Sequence, residues 1–123
     1  MLVPVDGSEH SKKVVHYAAL LAGRLSAEVT LLSVHEGNLP PQIMKDTGKK
    51  ILSEAAGQFE GIRLDEKLES GDPAKTIVQT AKDGDYDLIL MGHKGHSTVS
   101  RFLLGSVSDH VIHYADRSVL LIR

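Results

Sequence analysis

The feature that most constrains the fold of this chain is the regular alternation of short apolar runs with amphipathic segments. Five runs have the length and composition of strands, at 1–5, 28–35, 62–70, 87–92 and 118–122. The segments between them place apolar residues at helical spacing, as Val14, Ala18 and Leu21 do in the first. Consecutive strands joined by helical crossovers pair in parallel, and such crossovers are nearly always right-handed. The pattern therefore predicts an α/β fold with a doubly wound, five-stranded parallel sheet.

The helices are predicted at 11–25, at 41–59, from Pro73 onward and at 106–114, with a loop over 93–105. Asp72 has the residue type that caps free N–H groups at a helix start, and Pro73 suits the first helical position. The third strand alternates apolar and charged residues, which predicts a strand that is exposed on one side. A length of 123 residues corresponds to one domain, 1–123.

Composition excludes several functional classes. The chain contains 0 cysteines, which excludes thiol catalysis, disulfides and Cys-type zinc sites. A formal net charge of -2 gives no electrostatic footprint for nucleic acid or for a membrane surface. No apolar run approaches the roughly 20 residues that span a bilayer, and the N-terminus does not resemble a secretory signal. We therefore expect a cytoplasmic protein.

The segment 91–109 carries the clearest functional pattern. Gly92, Gly95 and Gly105 mark positions where the backbone can approach a ligand with no Cβ in between. Gly105 and Ser106 stand where a helix begins, and free N–H groups and a positive dipole end suit a phosphate there. These residues also fit a plain turn followed by a capping box that starts at Ser106, and glycine counting alone leaves both interpretations open.

Gly92-x2-Gly95-x9-Gly105-Ser106 resembles the ATP-binding pattern of the universal stress protein family. The resemblance extends along nearly the whole chain and in order. Val3-Pro4-Val5-Asp6-Gly7-Ser8 is similar to the first strand and loop of that family, 87–92 to its fourth strand, and 118–123 to its last.

The resemblance implies a Rossmann-like, adenine-nucleotide alpha-hydrolase-like sheet with strand order 3-2-1-4-5, whose first and fourth strands meet at the switch point. It implies that Pro4, Val5 and Asp6 border the adenosine, that Val34 offers backbone to the adenine, that Met91 and Gly92 floor the pocket, and that Gly95, Gly105, Ser106, Val107 and Ser108 cradle ribose and phosphates. His93 is a further candidate for contact with the ligand. The implied cofactor is ATP, ADP or AMP, with Mg or Mn bound to the phosphates near Asp6.

The resemblance also implies a homodimer in which Ser118–Ile122 pairs antiparallel with its copy. We expect Leu120 N–H to belong to that open edge, and we expect a positive φ at Gly105. The leading interpretation is a nucleotide-binding module that signals stress or energy status. A non-nucleotide stress protein acting by protein contacts and a slow ATPase remain alternatives.

Other residues suggest competing sites with weaker patterns. His93 with His96, and His110 with His113, have the spacing of paired metal ligands, but no third ligand follows a known metal spacing. Lys94 and Arg101 are placed to neutralise phosphate or to remain solvated. Asp6, Ser8 and His10 are the residue types of a hydrolase triad, but three groups in one short loop rarely reach triad geometry, and no nucleophile elbow is present.

Overall fold

A computed structural model describes residues 1–93 and 105–123. Strands and helices alternate in the order β1 (Leu2–Pro4), α1 (Glu9–Leu25), β2 (Val29–His35), α2 (Pro41–Ala56), β3 (Leu64–Ser70), α3 (Pro73–Asp83), β4 (Leu88–Gly92), α4 (Ser106–Tyr114) and β5 (Ser118–Ile122). The strands form one parallel sheet in the order β3-β2-β1-β4-β5, as predicted.

The central strands β2, β1 and β4 are largely buried on both faces, because helices cover each side of the sheet. On one face Val3, Leu31 and Leu90 pack with residues of α1 and α2. On the other face Leu2 and Leu32 pack with residues of α3 and α4. This two-sided burial explains why β2 and β4 are largely buried, whereas the edge strand β3 is exposed except at the half-buried Leu64 and Leu68 and does not show the predicted alternation.

Three predicted boundaries were wrong by a few residues, each for a local reason. The first helix begins at Glu9 because the Ser8 side chain accepts the N–H of Ser11 and caps it. The second ends at Ala56, and Phe59 is buried from a turn that follows it. The third strand begins at Leu64, since the ladder between β2 and β3 starts there.

Proline determines where the ladder between the central pair of strands ends. β1 and β4 are registered only at Leu2 and Ile89. The next ladder position on β1 is Pro4, which has no N–H to donate, so the ladder cannot continue. β1 therefore ends at Pro4 after a short ladder with β4.

The N–H groups of β5 alternate between the β4 side and the open edge. His93 N–H donates to Ile122 O at 3.2 Å, so the even-numbered residues of β5 point their backbone groups toward β4. The expectation for Leu120 was therefore wrong, and Val119 and Leu121 present the N–H groups of the open edge. Within the described residues, no helix combines the length and apolar character needed to cross a membrane.

A candidate ligand cleft at the carboxyl ends of the strands

A cleft of about 540 Å³ opens at the carboxyl ends of β1 and β4. This is the switch point of the sheet, where ligands of open α/β sheets bind. The lining residues come from all of the elements around it and are Pro4, Val5, Asp6, Ser11, Val14, Leu32, Val34, Glu36, Pro73, Ile77, Met91, Gly92, His93, Gly105, Ser106, Val107 and Ser108.

Val34 presents unused backbone groups to this cleft. Thr30 N–H donates to Met1 O at 2.9 Å and Val5 N–H donates to Leu32 O at 2.8 Å, so the even-numbered residues of β2 face β1. β1 ends before it reaches Val34, and no described residue forms a backbone hydrogen bond with Val34 on that side. One donor and one acceptor therefore stand side by side at the end of β2.

Among the described helices, α1, α3 and α4 have first-turn residues in the cleft, and of these α4 is the one without a side-chain cap. In α1 the Ser8 side chain accepts the N–H of Ser11, and in α3 the Asp72 side chain accepts the N–H of Lys75. The N-cap of α4 is Gly105, which has no side chain to accept a hydrogen bond. Its first N–H groups are therefore the ones available to an anion from outside the helix.

Gly105 is held against the end of β4 by short polar contacts. Its N–H donates to His93 O at 2.7 Å, and the Ser108 hydroxyl lies 3.1 Å from both His93 O and Gly105 O. A Cβ at Gly105 would lie 2.9 Å from His93 O. The expected positive φ was wrong, because φ is -66°. Close backbone approach, rather than left-handed geometry, is what requires glycine here.

The helix begins at Ser106, so Ser106 is not the N-cap that the capping-box interpretation requires.

The loop after β1 is organised by its own hydrogen bonds. Asp6 Oδ1 accepts the N–H of Ser8 at 2.9 Å, and Asp6 N–H donates to the Ser11 hydroxyl at 3.3 Å. His10 turns away from these residues and places Nε2 2.9 Å from Ile122 O. Asp6, Ser8 and His10 therefore do not form a triad.

All predicted site residues that lie within the described part of the chain line the cleft. Gly95 lies outside the described residues, as do Lys94, His96 and Arg101. His93 lines the cleft but is only 6% exposed, and its ring Nδ1 lies 3.2 Å from Ile122 O.

Sequence reasoning missed the lining residues contributed by helix interiors and neighbouring turns, which are Ser11, Val14, Leu32, Glu36, Pro73 and Ile77. Strand parity provided a signal for two of them, because Leu32 and Glu36 stand two residues before and after Val34 and so share its side of the sheet. Pro73 opens a helix at the carboxyl end of a strand, which is the same signal that pointed to Ser106.

The described part of the cleft carries few ionisable groups. Its carboxylates are those of Asp6 and Glu36. Among the described residues, no three histidines or carboxylates converge in a way that could hold a metal ion. The two histidines of α4 that have the spacing of paired metal ligands make other contacts. His113 Nδ1 lies 2.8 Å from Asp109 O, and the His110 ring packs on Tyr114 with 4.5 Å between ring centroids.

Comparison with known proteins gives a consistent result. The profile described as "Universal stress protein family" matches residues 1–123. A universal stress protein of Methanothermobacter thermautotrophicus is 34% identical, over 100% of this chain and 94% of that protein. Two solved structures are each 27% identical to this chain. The universal stress protein of Archaeoglobus fulgidus in complex with dAMP superposes with a TM-score of 0.81, covering 99% of this chain and 95% of that one. A universal stress protein in complex with cAMP superposes with a TM-score of 0.80, covering 100% and 97%.

Proposed function

The chain belongs to the universal stress protein family, and from that membership we propose that it binds an adenine nucleotide, ATP in particular, in the cleft between β1 and β4. The observation that carries the proposal is that one cleft contains both a free backbone hydrogen-bonding edge and a helix N-terminus without a side-chain cap. The open backbone of Val34 suits a base, and the uncapped N-terminus of α4 suits a phosphate. The solved relatives that bind dAMP and cAMP support the same ligand class.

The base end matches the hydrogen-bonding edge of adenine. Adenine offers an acceptor, N1, beside a donor, the exocyclic amino group. Val34 offers N–H beside C=O, which is the complementary pair. The half-buried Val34 side chain and the buried Leu32 and Ile77 side chains supply apolar surface for the ring, and Pro4 borders the same cleft.

The phosphate end combines dipole and hydroxyl groups. Gly105 is the N-cap and its own N–H is bonded to His93 O, so the N–H groups left for an anion are those of Ser106 and Val107 in the first turn of α4. The Ser106 side chain is exposed at this point, whereas Ser108 is buried and holds the turn. β2 and β4 lie two strand positions apart, or about 10 Å, which is within the reach of one nucleotide from base to phosphate.

A divalent cation would arrive with the phosphates in this proposal. Asp6 is the carboxylate at the end of β1, and Mg²⁺ prefers such oxygen ligands together with substrate phosphates and water. The loop between β1 and α1 contains one carboxylate, that of Asp6. The phosphates and water would therefore supply most of the ligands of the ion. The ion would screen phosphate charge.

We further infer that the bound state is read out through a homodimer, so that the protein reports energy or stress status. A protein that binds nucleotide without rapid turnover can report its concentration. Within the described part of the chain, Asp6, Ser8 and His10 do not form a triad, and the P-loop pattern is absent from the sequence.

The test is calorimetric titration of the purified protein with ATP and MgCl₂, with GTP as the matched control. We expect saturable ATP binding with a Kd on the order of micromolar, and weaker GTP binding, since guanine reverses the donor and acceptor beside Val34. The absence of both binding heat and a thermal shift at millimolar ATP would refute the proposal. Chromatography of the nucleotide after overnight incubation separates binding from hydrolysis, and rapid ADP release would favour an ATPase.

A further inference from the structure

A pair of histidines meets at one backbone carbonyl just behind the phosphate end of the cleft. His10 Nε2 lies 2.9 Å from Ile122 O, and His93 Nδ1 lies 3.2 Å from the same oxygen. The two rings meet edge to face, with centroids 5.2 Å apart. A carbonyl oxygen can only accept a hydrogen bond, so the ring nitrogen that faces it must carry hydrogen in each histidine.

The same oxygen also fixes the backbone of His93. His93 N–H donates to Ile122 O at 3.2 Å, so main chain and side chain of His93 are both tied to this atom. His93 O in turn accepts the N–H of Gly105 at 2.7 Å and the Ser108 hydroxyl at 3.1 Å. The start of α4 is thus fixed to Ile122 O through one residue.

We infer that His10 is a positioning residue for the phosphate end of the cleft, although it is not one of the residues that line it. It acts through Ile122 O and His93, which hold the start of α4 where its N–H groups meet an anion. This inference rests on the proposed nucleotide binding. It predicts that a change on α1 lowers affinity for the phosphate part of the ligand alone.

The His10 contact joins α1 to the end of β5, where the Ile122 side chain also packs in the core cluster that contains Val14 of α1. Lys13 Nζ also donates to Arg123 O, at 2.6 Å, but this contact is exposed and lies one residue beyond the carbonyl that holds His93. Loss of the His10 donor would leave Ile122 O with the two longer contacts from His93. A shift of Ile122 would then move His93, and with it Gly105 and Ser108, which both bond to His93 O.

The experiment measures affinity for ATP and for adenosine in the same protein. His10→Ala should weaken ATP binding about five-fold, as expected for one hydrogen bond, and should leave adenosine binding unchanged. His16→Ala is the matched control, since His16 is an exposed residue of the same helix, and it should bind both ligands like the parent. Equal losses for ATP and adenosine, or no loss in His10→Ala, would overturn the inference.

Amide replacements keep the test decisive if the alanine variant does not fold. Glutamine can place its Nε2 near the position of His10 Nε2, whereas the shorter asparagine cannot. His10→Gln should therefore restore ATP affinity and His10→Asn should not, and equal ATP affinity in the two variants would contradict the role. If the parent binds no ATP, the proposed function fails first, and the inference fails with it.

The tautomers provide a readout that does not depend on any ligand. Correlation of ring ¹⁵N with ¹H in alkaline solution should show hydrogen on Nδ1 of His93 and on Nε2 of His10. His93 with hydrogen on Nε2 instead would remove the contact on which the positioning depends.

Discussion

At the scale of single residues, the candidate site depends on how closely the backbone of α4 approaches the end of β4. Gly105 has an extended backbone conformation with a φ of -66°, which any residue can adopt, so its conformation alone does not require glycine. What excludes a side chain is His93 O, which would lie 2.9 Å from a Cβ. A backbone carbonyl cannot move aside as a flexible side chain can.

Gly105→Val should therefore abolish ATP binding while the protein still folds. The added side chain displaces Gly105 from His93 O and misplaces the first N–H groups of α4, at a cost of about 1–3 kcal/mol in unfolding free energy. Urea unfolding and calorimetric titration with ATP measure the two effects separately.

Gly23→Ala is the matched control for that variant. Gly23 lies within α1, and a Cβ there would meet nothing within 4 Å. The alanine should raise the unfolding free energy by about 0.5–1 kcal/mol and leave ATP affinity unaltered. Parental ATP affinity in Gly105→Val would show that α4 does not hold the phosphate.

At the scale of secondary-structure elements, the two edge strands of the sheet, β3 and β5, differ in how well they discourage pairing with another chain. One edge, β3, carries Asp65, Glu66 and Lys67, all exposed, and charges of this kind discourage pairing with another chain. β5 carries Val119, Leu120 and Leu121 in sequence, and Leu120 is 37% exposed. This contrast favours β5 as the interface strand.

Proline scanning of β5 should separate the edge from the ladder. Val119 N–H points to the open edge and Leu120 N–H points to β4, so the two neighbours test different hydrogen bonds. Val119→Pro should weaken self-association and keep the fold, since proline is tolerated at sheet edges. Leu120→Pro should instead lower the unfolding free energy by about 1–3 kcal/mol through the lost ladder bond.

Analytical ultracentrifugation and circular dichroism together read out both variants. Self-association of Val119→Pro that equals the parent's would mean that pairing does not use this edge. Loss of ordered structure in Val119→Pro, with Leu120→Pro intact, would mean that the assignment of N–H directions is inverted.

At the scale of the whole molecule, we propose a twofold dimer in which two copies of β5 pair antiparallel. Helices already cover both faces of the sheet, so the hydrogen-bonding edge of β5 is the surface left for a strand partner. Such an interface is self-complementary and closes after two subunits. Each subunit would keep its own cleft, which opens at the carboxyl ends of β1 and β4.

Light scattering coupled to size exclusion should therefore give about twice the 13.3 kDa mass of one chain at micromolar concentration. The apparent mass should fall on dilution if the contact is limited to one strand pair and its flanks. A mass of one chain throughout the micromolar range would contradict the proposed dimer.

Much of this architecture was accessible from the sequence, because it rests on local signals. Short apolar runs and helical spacing identified the strands and helices, and Asp72-Pro73 marked the start of α3. The resemblance to universal stress proteins supplied the strand order, and the sheet confirmed it. Boundaries shifted by a few residues where caps and strand partners, rather than propensity, end an element.

The tertiary structure alone decided the features that arise from contacts between distant segments of the chain. The backbone of Val34 is open because β1 ends early beside it, and Gly105 is confined by a carbonyl on another element. His10 meets Ile122 across 112 residues of sequence, and no periodicity or short motif encodes such a contact. Local patterns specify which elements form, since their energetics are set by neighbours along the chain. Donor directions and close approaches follow from packing, since they depend on where separate elements end in space.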